Sequence, residues 1–183
     1  EKLKSGDDSG KRFIDNSFSV FFVAIVLVSV VAFILIPYLI PYVLPGFDSE
    51  VTKSYVIALA RIMLLSPIFL GISNFFASIT QIYNRFFIYA ISPLLYNAGI
   101  IIGALFFYPV WGVYGLAWGV VLGAFLHAGV QIPFIREKKL FPALRFPLDF
   151  SSTRKIVMVS LPRTLALSAN QIATFFLVAF ASV

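Results

Sequence analysis

From Phe18 to Leu44 the chain carries no charged residue, and four more long apolar runs follow: Val56 to Tyr83, Phe87 to Phe107, Tyr114 to Phe134 and Ile156 to Val183. About 20 helical residues cover the roughly 30 Å of hydrocarbon in a bilayer, so each run is long enough to cross one. Lipid offers no partner to a free backbone N–H or C=O, which makes runs of this kind helices and not isolated strands. The expected fold class is all-α, a polytopic transmembrane bundle of five spans. Composition agrees: 60% of the 183 residues are hydrophobic and 12% charged, far from the balance of a soluble domain.

The charges that remain are grouped. Lys2, Lys4, Lys11 and Arg12 precede the first span, Lys53 follows it, Arg85 follows the second, and none follows the third. Arg136, Lys138, Lys139, Arg145, Arg154 and Lys155 follow the fourth. Alternate loops hold most of the positive charge, so the N-terminus, the Arg85 turn and the long basic loop are expected in the cytoplasm. The net charge of +6 flanks apolar runs and forms no stripe for nucleic acid. The expected organisation is a cytoplasmic polar segment at 1–16, four spans at 17–135, a basic cytoplasmic loop at 136–155 and a fifth span at 156–183, cut short in a chain that reads as a fragment. The first span is too long for a signal-peptide core.

Punctuation between spans is local. Pro45-Gly46-Phe47 ends the first run, Asn84-Arg85 makes a tight turn, and Pro109 to Gly112 makes a charge-free one. Pro37 and Pro41 lie inside the first run, and Pro67 marks a kink in the second.

Polar residues inside the spans fall on faces. In the fifth, Ser160, Arg163, Thr164, Ser168, Asn170, Gln171 and Thr174 share an arc of about 160° at 100° per residue. Such a face suits a wet cavity, and Pro162 leaves a carbonyl free beside Arg163. The plainer reading of Arg163 is that it snorkels to the interface. The second span repeats the pattern with Ser66, Ser73, Asn74, Thr80, Gln81 and Asn84, where the plainer reading is interhelical hydrogen bonding. The substrate-cavity candidates are Arg163, Ser168, Asn170, Gln171, Thr174, Asn74 and Gln81. Arg61 lies off this arc and is expected to anchor at the interface.

Gly99 and Gly103 in the third span, and Gly115, Gly119 and Gly123 in the fourth, recur every four residues and allow close helix packing. His127 and Gln131 extend the fourth-span row; a lone histidine without a carboxylate is more often packed than a proton carrier. The span centres hold no acidic residue, and the chain has no cysteine, phosphate loop or metal-ligand cluster. No enzyme, metal or cofactor is expected. The aromatic and basic stretch from Arg136 to Lys155 suits an anionic membrane surface.

Several strings occur in order: Leu44-Pro45-Gly46-Phe47, Asn84-Arg85-Phe86, Ser92-Pro93-Leu94-Leu95-Tyr96-Asn97, Gly115-Leu116-Ala117-Trp118-Gly119, Gln131-Ile132-Pro133 and Leu161-Pro162 through Ser168-Ala169-Asn170-Gln171-Ile172. In order and spacing they resemble the MurJ (MviN) lipid II flippases, of the superfamily that exports drugs and lipid-linked oligosaccharides. The resemblance implies helices three to seven of a two-lobe transporter of about fourteen helices, with 136–155 linking the lobes. It implies a multi-pass protein of the bacterial inner membrane that flips the undecaprenyl-pyrophosphate-linked peptidoglycan precursor, lipid II, by alternating access. The partners implied are that anionic lipid, membrane lipids and the remaining helices of the same protein. The arginines for which the family is best known lie in its first, second and eighth helices, outside these five. Competing readings are another lipid-linked glycan flippase and, from a different class, a membrane enzyme acting on polyprenyl lipids.

Overall fold

From Phe18 to Val43 the first charge-free run lies within α1 (Asp8–Val43), a 36-residue helix with Pro37 and Pro41 inside it. The computed structural model describes residues 8–43, 49–149 and, beyond those, residues 154, 158, 160–162, 164–166, 168, 169, 171, 173, 174 and 177. α1 begins about ten residues before the expected span, because the polar stretch ahead of Phe18 is itself helical and finds partners.

The second span is α2 (Glu50–Met63) followed by α3 (Leu65–Ile82), interrupted only at Leu64, three residues before Pro67. A Schellman-type stop ends α3: Asn84 has φ 56°, its N–H reaches the Gln81 carbonyl at 3.0 Å, and the Arg85 N–H reaches that of Thr80 at 3.0 Å. Asparagine is among the few residues that take this left-handed conformation readily.

α4 (Phe86–Ile102) continues through a π-helical turn, Gly103–Phe107, into the short α5 (Tyr108–Trp111). The expected loop from Pro109 to Gly112 shrinks to Gly112 alone, at φ 58° and ψ −140°. Widening the helix just before Pro109 lets the chain carry a residue that has no N–H to give. α6 (Val113–Gly129) and α7 (Ile132–Glu137) complete the fourth span, so the basic loop starts at Lys138 and not at 136.

Four of these helical stretches are long and apolar enough to cross a membrane: Gly10–Val43, Glu50–Ile82, Phe86–Trp111 and Val113–Glu137. No strand occurs among the described residues. The described residues between 154 and 177 are helical.

α6 is the hub, packing against α2, α3, α4 and α5, while α1 lies against α2 and α3. Among the described residues the buried apolar cluster lies at one end, where Ile14 and Phe18 of α1, Phe76 and Ile79 of α3, Phe134 and Ile135 of α7 and Leu140 meet. Elsewhere α1 leaves Leu27, Val28, Val31 and Ile34 exposed, a face suited to hydrocarbon and not to water.

Candidate functional site

α4 and α6 meet through glycine. A Cβ on Gly99 would stand 2.3 Å from the Gly123 Cα, one on Gly103 2.4 Å from the Gly119 Cα, and one on Gly115 2.3 Å from the Phe107 carbonyl carbon. The backbones are in direct contact along this seam, which fixes α6 and, through it, α3.

Ser73, His127 and Gln131 tie α3 to α6. Ser73 Oγ lies 2.6 Å from His127 Nδ1 and 3.0 Å from the His127 carbonyl, and Gln131 Nε2 donates to Ser73 Oγ at 2.5 Å. The same amide nitrogen donates to the Ser73 carbonyl at 3.2 Å. A serine has one proton to give, so when it goes to the His127 carbonyl the ring donates from Nδ1. All three side chains are buried, and the Gln131 Oε1 is a buried oxygen without a hydrogen-bond partner among the described residues. His127 is thus a packed, hydrogen-bonded residue, its ring edge-on to Tyr96.

The polar arc read on the second span divides. Ser66, Ser73 and Thr80 turn inward and are buried, while Asn74 and Gln81, one position further round, are exposed together with Ser78. Ser78 Oγ donates to the Asn74 carbonyl at 3.0 Å, leaving the Asn74 side-chain amide on the surface. Arg85 continues this strip beyond the end of α3 and is also exposed. A polar, outward strip on a membrane-spanning helix must face water, another helix or a polar ligand.

Among the described residues expected to form a fifth span, Ser168 is half-buried and Gln171 and Thr174 are exposed, while Thr164 Oγ1 donates to the Ser160 carbonyl at 3.0 Å. Arg163 and Asn170 lie outside the described residues.

One constellation was not read from the sequence. Asp15, Asn16 and Ser19, on the first turns of α1, hold the backbone of residues 143–149. Asp15 Oδ1 accepts the Ala143 N–H at 2.9 Å and Ser19 Oγ the Arg145 N–H at 2.7 Å. Asn16 binds Asp149 through both its amide atoms, and Lys11 forms an ion pair with Asp15. The signal was the polar run Asp15-Asn16-Ser17 directly before an apolar span, more than a solvated N-terminus needs.

Helices of this length and hydropathy, joined at a glycine seam and bearing an outward polar strip, define a multi-pass α-helical membrane protein. A family model described as lipid II flippase MurJ matches residues 1–183, and the chain belongs to that family. It is 34% identical over 144 residues to a Buchnera aphidicola (Schizaphis graminum) protein described as "Probable lipid II flippase MurJ", covering 75% of this chain and 27% of the relative. It is 26% identical over 183 residues to "Lipid II flippase MurJ" of Burkholderia cenocepacia, covering 94% and 35%. A Rhizobium tropici relative, described as "Probable lipid II flippase MurJ", is 25% identical over 176 residues, covering 92% and 33%. The chain spans about a third of the length of these relatives.

Proposed function

We propose that the protein containing this chain flips lipid II, the undecaprenyl-pyrophosphate-linked peptidoglycan precursor, from the inner to the outer leaflet of the bacterial cytoplasmic membrane, as a transporter and not an enzyme. Membership of the MurJ family over the whole chain is the observation that carries this reading. The outward strip Asn74, Ser78 and Gln81 supports a polar path along α3, and Ser168, Gln171 and Thr174 supply a second polar face on the fifth span. Arg163 and Asn170 belong to that face by helical spacing, and a cation there suits a pyrophosphate. The lobes rock about the path, with residues 138–155 joining them on the cytoplasmic side.

The test is rescue of a bacterium depleted of its own MurJ by the complete gene, followed by the same assay with Arg163→Ala and Asn170→Leu at equal expression. Rescue by the complete gene and its loss in both variants is the expected result. Failure of the well-expressed complete gene would turn the assignment toward another lipid-linked glycan. Rescue by the variants as well would remove both residues from the path.

A further inference from the structure

Pro37 has no N–H, so it cannot donate to the Phe33 carbonyl one helical turn back. A carbonyl left unpaired in hydrocarbon is costly, and in membrane helices a neighbouring helix often supplies the missing donor. Here the donor is a cation. Arg61 of α2 donates from Nε to the Phe33 carbonyl at 3.4 Å, and its guanidinium carbon stands 4.4 Å from the centroid of the Phe33 ring. One arginine thus holds both the backbone and the side chain of the residue that the proline releases.

The joint is well inside the spans. Phe33 lies ten residues before the end of α1 and Arg61 eleven after the start of α2, about 15 Å from the ends where the two helices meet, at 1.5 Å per residue. The ion pairs among the described residues use Lys11, Lys53 and Lys138, so none neutralises Arg61. Beside the joint a cleft between α1 and α2 is lined by Pro37, Ile40, Pro41, Lys53 and Ile57. The segment of α1 beyond Phe33 therefore carries two prolines, borders open space, and is met at its root by the Arg61 side chain.

We infer that Arg61 is a positioning residue for transport: it latches the proline joint of α1, and its release from Phe33 frees the segment 34–43 to pivot toward or away from α2. This use of the latch rests on the flippase reading above. An arginine that only anchored the chain at the membrane surface would be indifferent to whether residue 37 has an N–H. A latch on the Phe33 carbonyl is not.

The experiment follows from that difference, because Pro37→Ala returns an internal donor to the Phe33 carbonyl. In the complete protein, freed of cysteines and reconstituted in nanodiscs, Ile40→Cys reports opening of the cleft through its maleimide labelling rate. Arg61→Ala is expected to raise that rate about thirtyfold or more, the effect of losing one charged hydrogen bond and one cation–π contact. With Pro37→Ala already present, Arg61→Ala should change the rate by less than about twofold, since the carbonyl no longer needs it. An equal increase in both backgrounds, or none in either, overturns the latch. If Arg61→Ala does not accumulate, Arg61→Gln is read in the same two backgrounds. Rescue of MurJ-depleted cells is scored separately: failure of the unsubstituted gene removes the flippase reading and leaves the labelling result standing.

Discussion

Asn16 grips Asp149 by both main-chain groups: its Nδ2 donates to the Asp149 carbonyl at 2.6 Å and its Oδ1 accepts the Asp149 N–H at 2.9 Å. A side-chain amide thus stands in for a strand partner, 133 residues away in sequence, and with Asp15 and Ser19 pins the basic loop across the start of α1. Two net hydrogen bonds are worth roughly 1–3 kcal/mol, so Asn16→Leu should raise the open population of the loop about fivefold or more. Tryptic cleavage after Arg145, followed by mass spectrometry, tracks that population when opening is fast. Asn16→Asp, which keeps only the acceptor, should fall between. An unchanged rate in Asn16→Leu would mean that Asp15 and Ser19 hold the loop unaided.

The glycines of α4 and α6 should differ sharply from one another. A Cβ on Gly99 meets Gly123 backbone at 2.3 Å, whereas one on Gly129 meets nothing within 4 Å. Gly99→Ala must push α4 and α6 apart and should cost about 1–3 kcal/mol, while Gly129→Ala should be neutral or stabilising by up to about 1 kcal/mol. Thermal unfolding of the two variants in detergent compares them directly. Equal midpoints would contradict the close contact of α4 with α6.

The spans were legible because hydropathy and length decide them before any packing is considered. The division of the α3 arc was not: Ser73 and Asn74 are adjacent and similar in character, and only the position of α6 turns one inward and leaves the other out. The hold on residues 143–149 escaped for a different reason. It is made to main-chain groups, which every residue has, so the gripping side chains leave no matching pattern in the loop. Spacing could mark Gly99 and Gly123 as packing positions but not as each other's partner. The π turn likewise hides Pro109 inside a helix that proline would ordinarily end.

Ser73 is shared by two partners, and its loss should show in their coupling. Ser73→Ala takes one acceptor from the Gln131 Nε2 and removes the hydroxyl partner of the His127 Nδ1, at a cost of about 1–2 kcal/mol. Gln131→Leu alone removes the same contact from the other side. The double variant should cost at least about 0.5 kcal/mol less than the two added together, measured by denaturation in detergent. Strict additivity would show that the two side chains act on stability separately.

The sidedness we propose from the charge pattern is open to a labelling test. Val110 and Phe87 are both strongly exposed and lie toward opposite ends of the span Phe86–Trp111. With the Arg85 turn in the cytoplasm, a membrane-impermeant maleimide should reach Val110→Cys from the periplasm of otherwise intact cells. It should reach Phe87→Cys only after the cytoplasmic membrane is opened. The reverse pattern would invert the proposed topology.

The strip on α3 separates a transport role from a packing role most directly, because Asn74 and Gln81 are exposed while Ser73 is bonded to His127 and Gln131 and Thr80 is buried. Asn74→Leu/Gln81→Leu removes two outward polar groups and leaves the α3–α6 tie intact, so the protein should accumulate and unfold as before. If the strip faces a polar headgroup, two contacts of about 1 kcal/mol each correspond to roughly thirtyfold weaker engagement, and rescue of MurJ-depleted cells should fall accordingly. If it instead meets another helix of the same protein, the double variant will unfold earlier and lose abundance along with rescue. Full rescue at normal abundance would take α3 out of the path and leave the polar face of the fifth span as the remaining candidate.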